Sequence, residues 1–435
     1  MLKNWSKIAL ASVLVLMLGA MAANATTSRV RSLANVGDYI SDDSAVYRWY
    51  STLVSFGNQV NAEMGDWTST DLTDTRGLGW NHTCGEDGKW GTYRITLNEA
   101  SLSHPGFWIG NPFYQNHAPQ EIGFPFVGDL EFPYEETPIN RWDVAGAWEL
   151  GESFALGVSI TQSKWSVEDT STDFESDNSW LVFGAGATWT NNENMVFDVL
   201  FNFGNAGGET TGLAGPGSSL EWDSGTAFEI AARLFYDWKD NVTLVPVFDF
   251  ATSEYSQTRT ETPANPILEP NGQKTTDIML GLGLNMDVNQ DNMLVFALEW
   301  MNRSSEFANP DTTATAVKEV TANFLPTIRL ALESDITSWL TTRIGAAKYI
   351  GSLKAEANNG DEIKVTPGHP WDYPVVNGFD WFLGCGFNFA EWTVDLELAD
   401  ETPFGLGFWL TGYDDAWDDG SGHGPVGRIS AVYNY

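Results

Sequence analysis

The sequence predicts an all-β protein, a transmembrane up-and-down antiparallel β-barrel of about 14–16 strands. Apolar and polar residues alternate with a period of two through many segments of about ten residues, the length that a tilted strand needs to cross a bilayer. Strands of soluble proteins are usually only about five or six residues long. Short polar turns alternate with long loops along the chain, which is typical of a barrel with its turns on one side of the membrane and its loops on the other.

The alternation is clear in the second half of the chain. Leu294, Phe296 and Leu298 lie on one face of an extended segment, and Glu299 lies on the other. A lipid-facing apolar side and a polar inner side explain this pattern. The first two segments alternate less clearly, so a count of about 14 strands is the alternative. The predicted strands lie near residues 53–65, 74–84, 90–99, 141–150, 153–164, 178–190, 193–204, 225–238, 241–255, 275–288, 291–303, 318–333, 335–350, 377–389, 391–399 and 425–435.

The connections fall into two classes, and both are rich in the residues that favour turns. An even number of strands places both chain ends on the side of the short turns, which is the periplasm. Short turns are predicted at 150–153, 190–194, 239–241, 287–292, 333–335 and 390–391, and long loops at about 100–140, 164–178, 205–224, 255–275, 304–318, 351–377 and 399–424.

Tryptophans recur beside the short turns. The indole ring is apolar with one N–H donor, so it is stable at the level of the lipid headgroups. We therefore predict an aromatic girdle at this end of the barrel, with core tryptophans of a large soluble β protein as the alternative. The predicted girdle consists of Trp90, Trp148, Trp189, Trp238, Trp339 and Trp392.

Charged residues within the predicted strands fall on the face opposite the apolar one. An arginine or lysine that faced lipid near the midplane would cost about 2–4 kcal/mol, so these residues are predicted to face the lumen. They either line an aqueous path and set its selectivity, or form ion pairs that brace a filled interior. The predicted lumen residues are Arg94, Arg141, Glu229, Arg233, Asp249, Glu299, Arg329, Arg343, Asp395, Glu397 and Arg428.

The last nine residues, GRISAVYNY, alternate up to the terminal tyrosine. In a closed barrel the last strand pairs with the first, because an open edge in lipid leaves unsatisfied N–H and C=O groups. The stretch also resembles the C-terminal signal by which the outer-membrane barrel assembly machinery recognises its substrates. Tyr433 and Tyr435 carry this resemblance, which implies that machinery as a partner, although Tyr435 stands where phenylalanine is commonest.

The N-terminus predicts export. Two lysines, a short apolar run and the small-residue cleavage signal Ala23-Asn24-Ala25 together indicate a signal peptide. The apolar run is short for a membrane span of about 20 residues, which disfavours a membrane anchor. The predicted domains are a signal peptide, an N-terminal segment and the barrel, at residues 1–25, 26–52 and 53–435.

Residues 26–52 do not alternate cleanly and are predicted to precede the first strand. Within them, DDSAVY at 42–47 resembles the N-terminal segment of the long-chain fatty acid transporter family (FadL-like), where two aspartates, small residues and an aromatic residue precede the first strand. The Asn-Pro-Ala that usually follows is replaced here by RWYST at 48–52. The resemblance implies that the segment lies in the lumen as a plug.

The net charge of −36 excludes nucleic acid as a partner, because phosphate binding requires clustered lysine and arginine. An acidic surface suits water, divalent cations or cationic solutes, and solvated acidic loops are the simplest explanation. YDDAWDDG at 413–420 places several carboxylates in one predicted loop. Their spacing does not match an EF-hand. We therefore predict no cofactor and no metal site. The stretch Asp414–Asp419 is interpreted as a solvated acidic loop, and a weak calcium site there is the alternative.

These features predict a protein of the bacterial outer membrane that lets small or hydrophobic solutes pass passively, as a porin-like channel. The aromatic loop at 100–140 either constricts the mouth, presents an apolar patch to hydrophobic ligands or packs on its neighbours. One alternative is a structural or adhesive outer-membrane protein with a plugged lumen. Another is a soluble secreted glycan-binding β protein. The five histidines stand in no recognised catalytic frame, so an enzyme is not expected.

Overall fold

A computed structural model describes residues 26–64, 76–85, 88–100, 139–169, 174–191, 194–212, 218–260, 272–308, 317–365, 379–398 and 426–435. The predicted signal peptide, most of loop 100–140 and the acidic stretch Asp414–Asp419 lie outside these ranges. Within the ranges, every helix is too short or too polar to cross a membrane.

One antiparallel sheet forms the protein, and it closes on itself. Each strand of the ring pairs with the next one in the ring, and β1 (Gln59–Met64) pairs with both β2 (Arg76–Thr83) and β17 (Val426–Asn434). Sixteen of the seventeen described strands form the ring. Closure leaves no open edge, which is the condition for a sheet in lipid. The predicted fold class is thus confirmed, and two stacked sheets, as in a soluble sandwich, are excluded.

The remaining strands of the ring follow in chain order. They are β3 (Thr92–Ala100), β4 (Ile139–Glu149), β5 (Phe154–Asp169), β6 (Phe174–Asn191), β7 (Met195–Thr211), β8 (Ser219–Lys239), β9 (Val242–Thr260), β10 (Gly272–Asn289), β11 (Asn292–Ala308), β12 (Val317–Thr337), β13 (Leu340–Ala357), β15 (Phe379–Phe389) and β16 (Trp392–Leu398). The short strand β14 (Glu362–Val365) pairs with the far end of β13 outside the ring.

The outward-facing side chains are apolar and exposed. Leu78, Leu97, Val158, Leu282 and Leu330 are each about half exposed. Their neighbours in sequence point inward and are polar or small. This much exposed apolar surface is unfavourable in water but suits lipid.

The long strands extend beyond the alternating stretches that predict them. β5 to β13 have 16–21 residues each, so parts of the predicted long loops are strand. The extensions are polar on the outside as well, as with Lys164 of β5, which forms an exposed ion pair with Asp177 of β6 at 3.2 Å. Both faces of such an extension meet water, so its sequence does not alternate.

The predicted turn at 333–335 is wrong. β12 continues to Thr337, and the chain turns at Ser338 and Trp339. Polar residues suggested a turn here, but Glu333 faces inward and accepts hydrogen bonds from two arginines. A polar side chain in a barrel strand satisfies its hydrogen bonds in the interior.

The chain before β1 is helical. It forms α1 (Thr27–Ser32) and two 3₁₀ helices, Asp43–Tyr47 and Tyr50–Ser55. The strand predicted from residue 53 therefore begins only at Gln59. Leu53 is fully buried because the second 3₁₀ helix packs on the inner faces of β3 to β6. We call residues 26–58 the N-terminal segment.

Candidate functional site

The N-terminal segment and the inner wall of the barrel form the candidate site. α1 packs on β13, β15, β16 and β17, and the second 3₁₀ helix packs on β3 to β6. The chain between them contacts β8 to β12. Contacts therefore run around nearly the whole ring. Ser28, Leu33, Val36, Tyr39 and Ser51 have no exposed surface.

The start of the segment is fixed by hydroxyl groups. The Thr26 hydroxyl donates to Oδ2 of Asp395 on β16 at 2.7 Å, and the same Thr26 oxygen caps α1 by accepting from the Arg29 backbone N–H. Ser28 and Ser430 of β17 share a hydrogen bond of 2.6 Å between their hydroxyls. These bonds join the first turn of the helix to the closing strands.

Two arginines share carboxylates beside α1. Arg29 binds Glu333 through two hydrogen bonds of 2.6 and 2.7 Å. Arg343 on β13 donates to the same Glu333 at 2.6 Å and to Asp395 at 2.5 Å. Paired and charge-assisted bonds of this kind fix position strongly. They link the helix to three strands.

Arg48 is the centre of a second cluster. Its guanidinium binds both oxygens of Asp38 at 3.0 and 2.8 Å, Glu229 of β8 at 2.8 Å, and Asp249 of β9. Three carboxylates thus surround one cation. The Arg48 side chain is only 2% exposed, so water contributes little to its solvation.

Arg233 of β8 binds Asp198 of β7 at 2.8 Å and donates to the backbone carbonyl of Gly37 at 3.3 Å. Its guanidinium also lies 4.5 Å from the ring centroid of Trp49, which is a favourable cation–π distance. Arg233 therefore donates a hydrogen bond to the backbone of the N-terminal segment at a point where the segment is neither helix nor strand.

Arg329 of β12 repeats this arrangement. It binds Glu299 of β11 at 3.0 Å and donates to the carbonyl of Ala34 at 2.8 Å. Tyr39 donates its hydroxyl to the same Glu299 at 3.0 Å. Arg329 and Glu299 have no exposed side-chain surface, so each charge depends on the other for compensation.

The opposite wall binds the 3₁₀ helices. Arg94 of β3 donates to the carbonyl of Val46 and lies 4.6 Å from the ring centroid of Tyr47. Tyr50 donates to Asn202 of β7 at 2.9 Å. Burial raises the pKa of Tyr50 to about 12, so its phenol stays protonated and can donate.

Two glycines of the wall make room for the segment. A Cβ at Gly345 of β13 would lie 2.5 Å from the backbone nitrogen of Ala34, and a Cβ at Gly157 of β5 would fall on the peptide between Tyr50 and Ser51. Backbone cannot yield as a side chain can. The backbone of the segment therefore comes this close to the wall at positions where the wall has no side chain.

An apolar zone completes the contact. Leu33, Val36 and Ile40 pack on small and aliphatic residues of β9 to β12. Further along the same wall, a second cluster lies on the inner faces of β11 to β13 and β15. Its members are Val320, Ala322, Phe324, Ala347, Tyr349 and Leu353 with Ala34, and Met301, Phe307, Ala355 and Phe382 pack against them.

Negative charge dominates near the first 3₁₀ helix. Burial raises the pKa of the Asp43 carboxyl well above its ordinary value, and the charges of Asp42 and Asp395 raise it further. Burial also raises the pKa of Asp42, although Arg29, 3.7 Å away, opposes this effect. Both carboxyl groups therefore bind protons more tightly in the folded protein than in water.

The structure places nine of the predicted lumen residues on the inner wall. Each contacts the N-terminal segment or another charged residue of the wall. Eight of them lie in ion pairs or hydrogen-bonded networks with other polar groups, and Arg94 binds a backbone carbonyl and an aromatic ring. The nine are Arg94, Glu229, Arg233, Asp249, Glu299, Arg329, Arg343, Asp395 and Glu397. The side chains of Arg141 and Arg428 lie outside the described residues.

Sequence reasoning missed the other half of these pairs. Arg29, Arg31 and Arg48 of the segment each bind a carboxylate of the wall, and Glu333 and Asp198 bind arginines. Three arginines in a short non-alternating segment, facing strands with inward carboxylates, were the available signal.

The predicted girdle residues lie at the short-turn end of the barrel. Trp90 and Trp238 are 65% and 54% exposed. Trp148 is half-buried, and its indole donates to the hydroxyl of Tyr93 at 3.3 Å. Trp189, Trp339 and Trp392 are also exposed.

The two C-terminal tyrosines lie at the seam of the barrel. The Tyr433 ring packs on Trp392 with centroids 4.8 Å apart. The Tyr435 hydroxyl accepts from Trp80 of β2 at 2.7 Å and donates to the Asn81 carbonyl at 3.2 Å. The last residue therefore ties β17 to the start of the ring.

No protein-family model matches the sequence, and no curated protein matches it. Among solved structures, the chain is similar to the alcaligin outer membrane receptor FauA from Bordetella pertussis, with 11% identity, 78% of this chain covered and a TM-score of 0.42. The match covers 60% of FauA, less than two thirds of its length. A FadL homologue from Pseudomonas aeruginosa matches with 13% identity, 96% and 99% of the two chains and a TM-score of 0.40. The P. putida toluene transporter TodX matches with 10% identity, 97% and 99% of the chains and a TM-score of 0.39.

The location follows from the geometry of the chain itself. The ring is closed, its outer face is apolar, tryptophans lie beside the short turns, and the charged side chains point inward. Barrels of this kind span bacterial outer membranes. The protein is therefore an antiparallel β-barrel of the bacterial outer membrane, with its own residues 26–58 packed against the inner wall.

Proposed function

We propose that the protein is a gated passage for small solutes across the outer membrane, and that the N-terminal segment is its gate in the closed position. The observation that carries the proposal is the ring of contacts between this segment and the inner wall. A segment bound on nearly all sides of the barrel obstructs the lumen at its level. Passage then requires the segment to move.

The chemistry of the contact supports a movable element. Many of the bonds between segment and wall are ion pairs or hydrogen bonds, such as Arg29–Glu333 and Arg48–Glu229. A buried ion pair adds little net stability, because its Coulomb energy is offset by desolvation. Water can replace such bonds at both surfaces when the segment leaves. A purely apolar contact would lose its stabilisation without replacement.

The inner wall supports solutes with an apolar part. Water-filled barrels have a polar interior, but the wall of β11 to β13 carries Phe324, Tyr349 and Leu353 on its inner face. These side chains are at most 8% exposed while the segment is bound. Once the segment moves, such a surface would bind apolar groups through area burial at about 25 cal/mol per Å². We infer that small hydrophobic or amphiphilic molecules pass more readily than ions.

A permanently closed structural barrel is the second candidate. The number of bonds that hold the segment favours it, since all of them must break before the lumen opens. Measurement of solute passage separates the two functions, because a structural barrel lets no solute pass in any state.

A reversible lock tests the proposal. Ser28 and Ser430 have their hydroxyl oxygens 2.6 Å apart, close to the distance that a disulfide spans. Ser28→Cys with Ser430→Cys, in a background that replaces the free Cys84 and Cys385 with alanine, joins the segment to β17. We expect no passage through the oxidised protein in planar bilayers or liposome swelling, and recovery after addition of a reductant.

A second disulfide provides the control. Thr275 and Ser305 face each other across β10 and β11 with hydroxyl oxygens 3.0 Å apart, and neither belongs to the segment. Their cysteine pair should leave passage unchanged in both redox states. Equal passage through the oxidised and reduced Ser28–Ser430 lock would show that solutes bypass the segment. No passage through any variant would favour the structural barrel.

A further inference from the structure

The part of the inner wall that binds the N-terminal segment has more carboxylates than cations beside the first 3₁₀ helix. Two guanidinium groups, those of Arg29 and Arg343, are shared among the carboxylates of Asp42, Glu333 and Asp395. Asp43 adds another negative group to this region. Buried charge without full compensation is expensive, and uptake of a proton by one of these carboxyl groups would reduce the cost.

Asp43 is a buried carboxyl group with an unsatisfied oxygen. It is 6% exposed, and among the described residues its Oδ1 atom has no hydrogen-bond partner. Its neighbour Asp42 is 4% exposed. One Asp42 oxygen accepts from Ser44 at 2.5 Å, and the other lies 3.7 Å from Arg29.

A metal ion does not fit the site as described. In the parts of the chain that the structure describes, no group of three or more histidine, cysteine, aspartate or glutamate side chains is arranged to hold one. A proton needs only one oxygen and little space. Two adjacent buried carboxylates commonly share a proton, because they cannot both ionise in a site of low dielectric.

We propose that the Asp42–Asp43 pair binds a proton when the N-terminal segment is seated on the wall, and that loss of this proton loosens the segment. The consequence for gating rests on the proposed function, but the proton site does not. The charged groups that face the pair come from α1 and from four strands. They are Arg29 of α1, Glu63 of β1, Arg233 of β8, Glu333 of β12 and Asp395 of β16.

The direction of the effect follows from linkage. Burial raises the pKa of Asp43 in the seated state above its value in water. The seated state therefore binds more protons than the released state between these two values. The proton's contribution to the binding of the segment to the wall is fully present below about pH 4. It is lost as the pH rises through the raised pKa that Asp43 has when the segment is bound. Within this window the ratio of released to seated segment rises about tenfold per pH unit if one proton is involved.

Hydrogen–deuterium exchange of the full barrel in nanodiscs measures this ratio directly. Exchange of peptides within residues 26–58, corrected for the intrinsic effect of pH, is followed from pH 4 to pH 9. We expect protection of the wild-type segment to fall as the pH rises. In Asp43→Asn, which keeps the shape and removes the charge, we expect high protection with no dependence on pH.

The matched control is Asp277→Asn. Asp277 forms an ion pair with Arg303 of the neighbouring strand, so the same chemical change is made in the wall. It should keep the wild-type pH dependence of the segment. Asp42→Asn is the second variant at the site and should flatten the profile in the same way.

Three results would overturn the proposal. One is a wild-type segment whose protection is constant from pH 4 to pH 9. Another is an Asp43→Asn protein with an unchanged pH profile. The third is a pH dependence that begins only near about pH 8 and that persists in Asp43→Asn, because a group outside the pair would then cause it. If hydrogen–deuterium exchange of the segment depends on pH as expected but no solute passes at any pH, the proton site stands and only the gated channel is refuted.

Discussion

Replacement of Arg329 by methionine tests whether the inner charges are held by mutual compensation. The Arg329 and Glu299 side chains have no exposed surface and lie 3.0 Å apart. Methionine replaces the unbranched aliphatic part of the side chain but removes its guanidinium and charge. Glu299 then stays buried and keeps the hydrogen bond from the Tyr39 hydroxyl of the segment. Breaking a buried pair by removing one partner costs about 3–5 kcal/mol.

The double variant gives the decisive comparison. Glu299→Gln alone leaves the Arg329 charge uncompensated and should cost about 3–5 kcal/mol as well. Arg329→Met with Glu299→Gln has no buried charge at this position. Its remaining loss is the donor to the Ala34 carbonyl, worth about 1–3 kcal/mol. We therefore expect the double variant to be more stable than either single variant.

The assay is equilibrium unfolding in urea of the barrel in lipid vesicles, followed by tryptophan fluorescence. Arg303→Met is the control, because its partner Asp277 is 25% exposed and Arg303 itself 19% exposed. Solvent screening there should reduce the loss to about 1 kcal/mol. A loss below about 1 kcal/mol for Arg329→Met, or a double variant whose loss equals the sum of the two singles, would refute mutual compensation.

Three further predictions concern other parts of the barrel. Leu282→Arg places a charge on the lipid face of β10, where Leu282 is 51% exposed, and should cost about 2–4 kcal/mol in the same unfolding assay. Gly345→Val puts a side chain against the backbone of Ala34, so amide exchange near Ala34 should increase while the barrel stays folded. Tyr435→Phe removes the acceptor of the 2.7 Å bond from Trp80 and should lower stability by about 0.5–1.5 kcal/mol. Unchanged exchange near Ala34 would contradict the close approach, and unchanged stability of either other variant would contradict its contact.

The barrel could be predicted from sequence because every spanning strand has one face toward lipid and the other toward the polar interior. Leu280 and Leu282 face lipid on the outside of β10, and Gly281 and Gly283 occupy the alternate positions that face the interior. The prediction of strand ends failed where both faces of a strand meet water. Lys164 and Asp177 lie on strand extensions where the outer face also meets water, and their polar sequence suggested a loop.

The interior could be predicted only in part. Alternation alone turns Glu229 and Arg329 inward, but it does not identify their partners. Arg48 and Glu229 are separated by 181 residues, and Arg29 and Glu333 by 304. No local pattern relates residues so far apart, because their contact depends on the closure of the whole ring. The segment's helices were missed for the same reason, since the wall determines their conformation.

The distribution of the ion pairs determines how the segment can be released. Arg29 binds β12, Arg31 binds β16 and Arg48 binds β8 and β9, so the segment is fixed on separate sides of the ring. Each pair adds little net stability by itself. However, a segment fixed at several separated points cannot tilt away from one wall without straining its bonds to the others. Loss of a single pair should therefore weaken the seat without opening the lumen, and a change that acts on several charges at once, such as a change in protonation, should release the segment cooperatively.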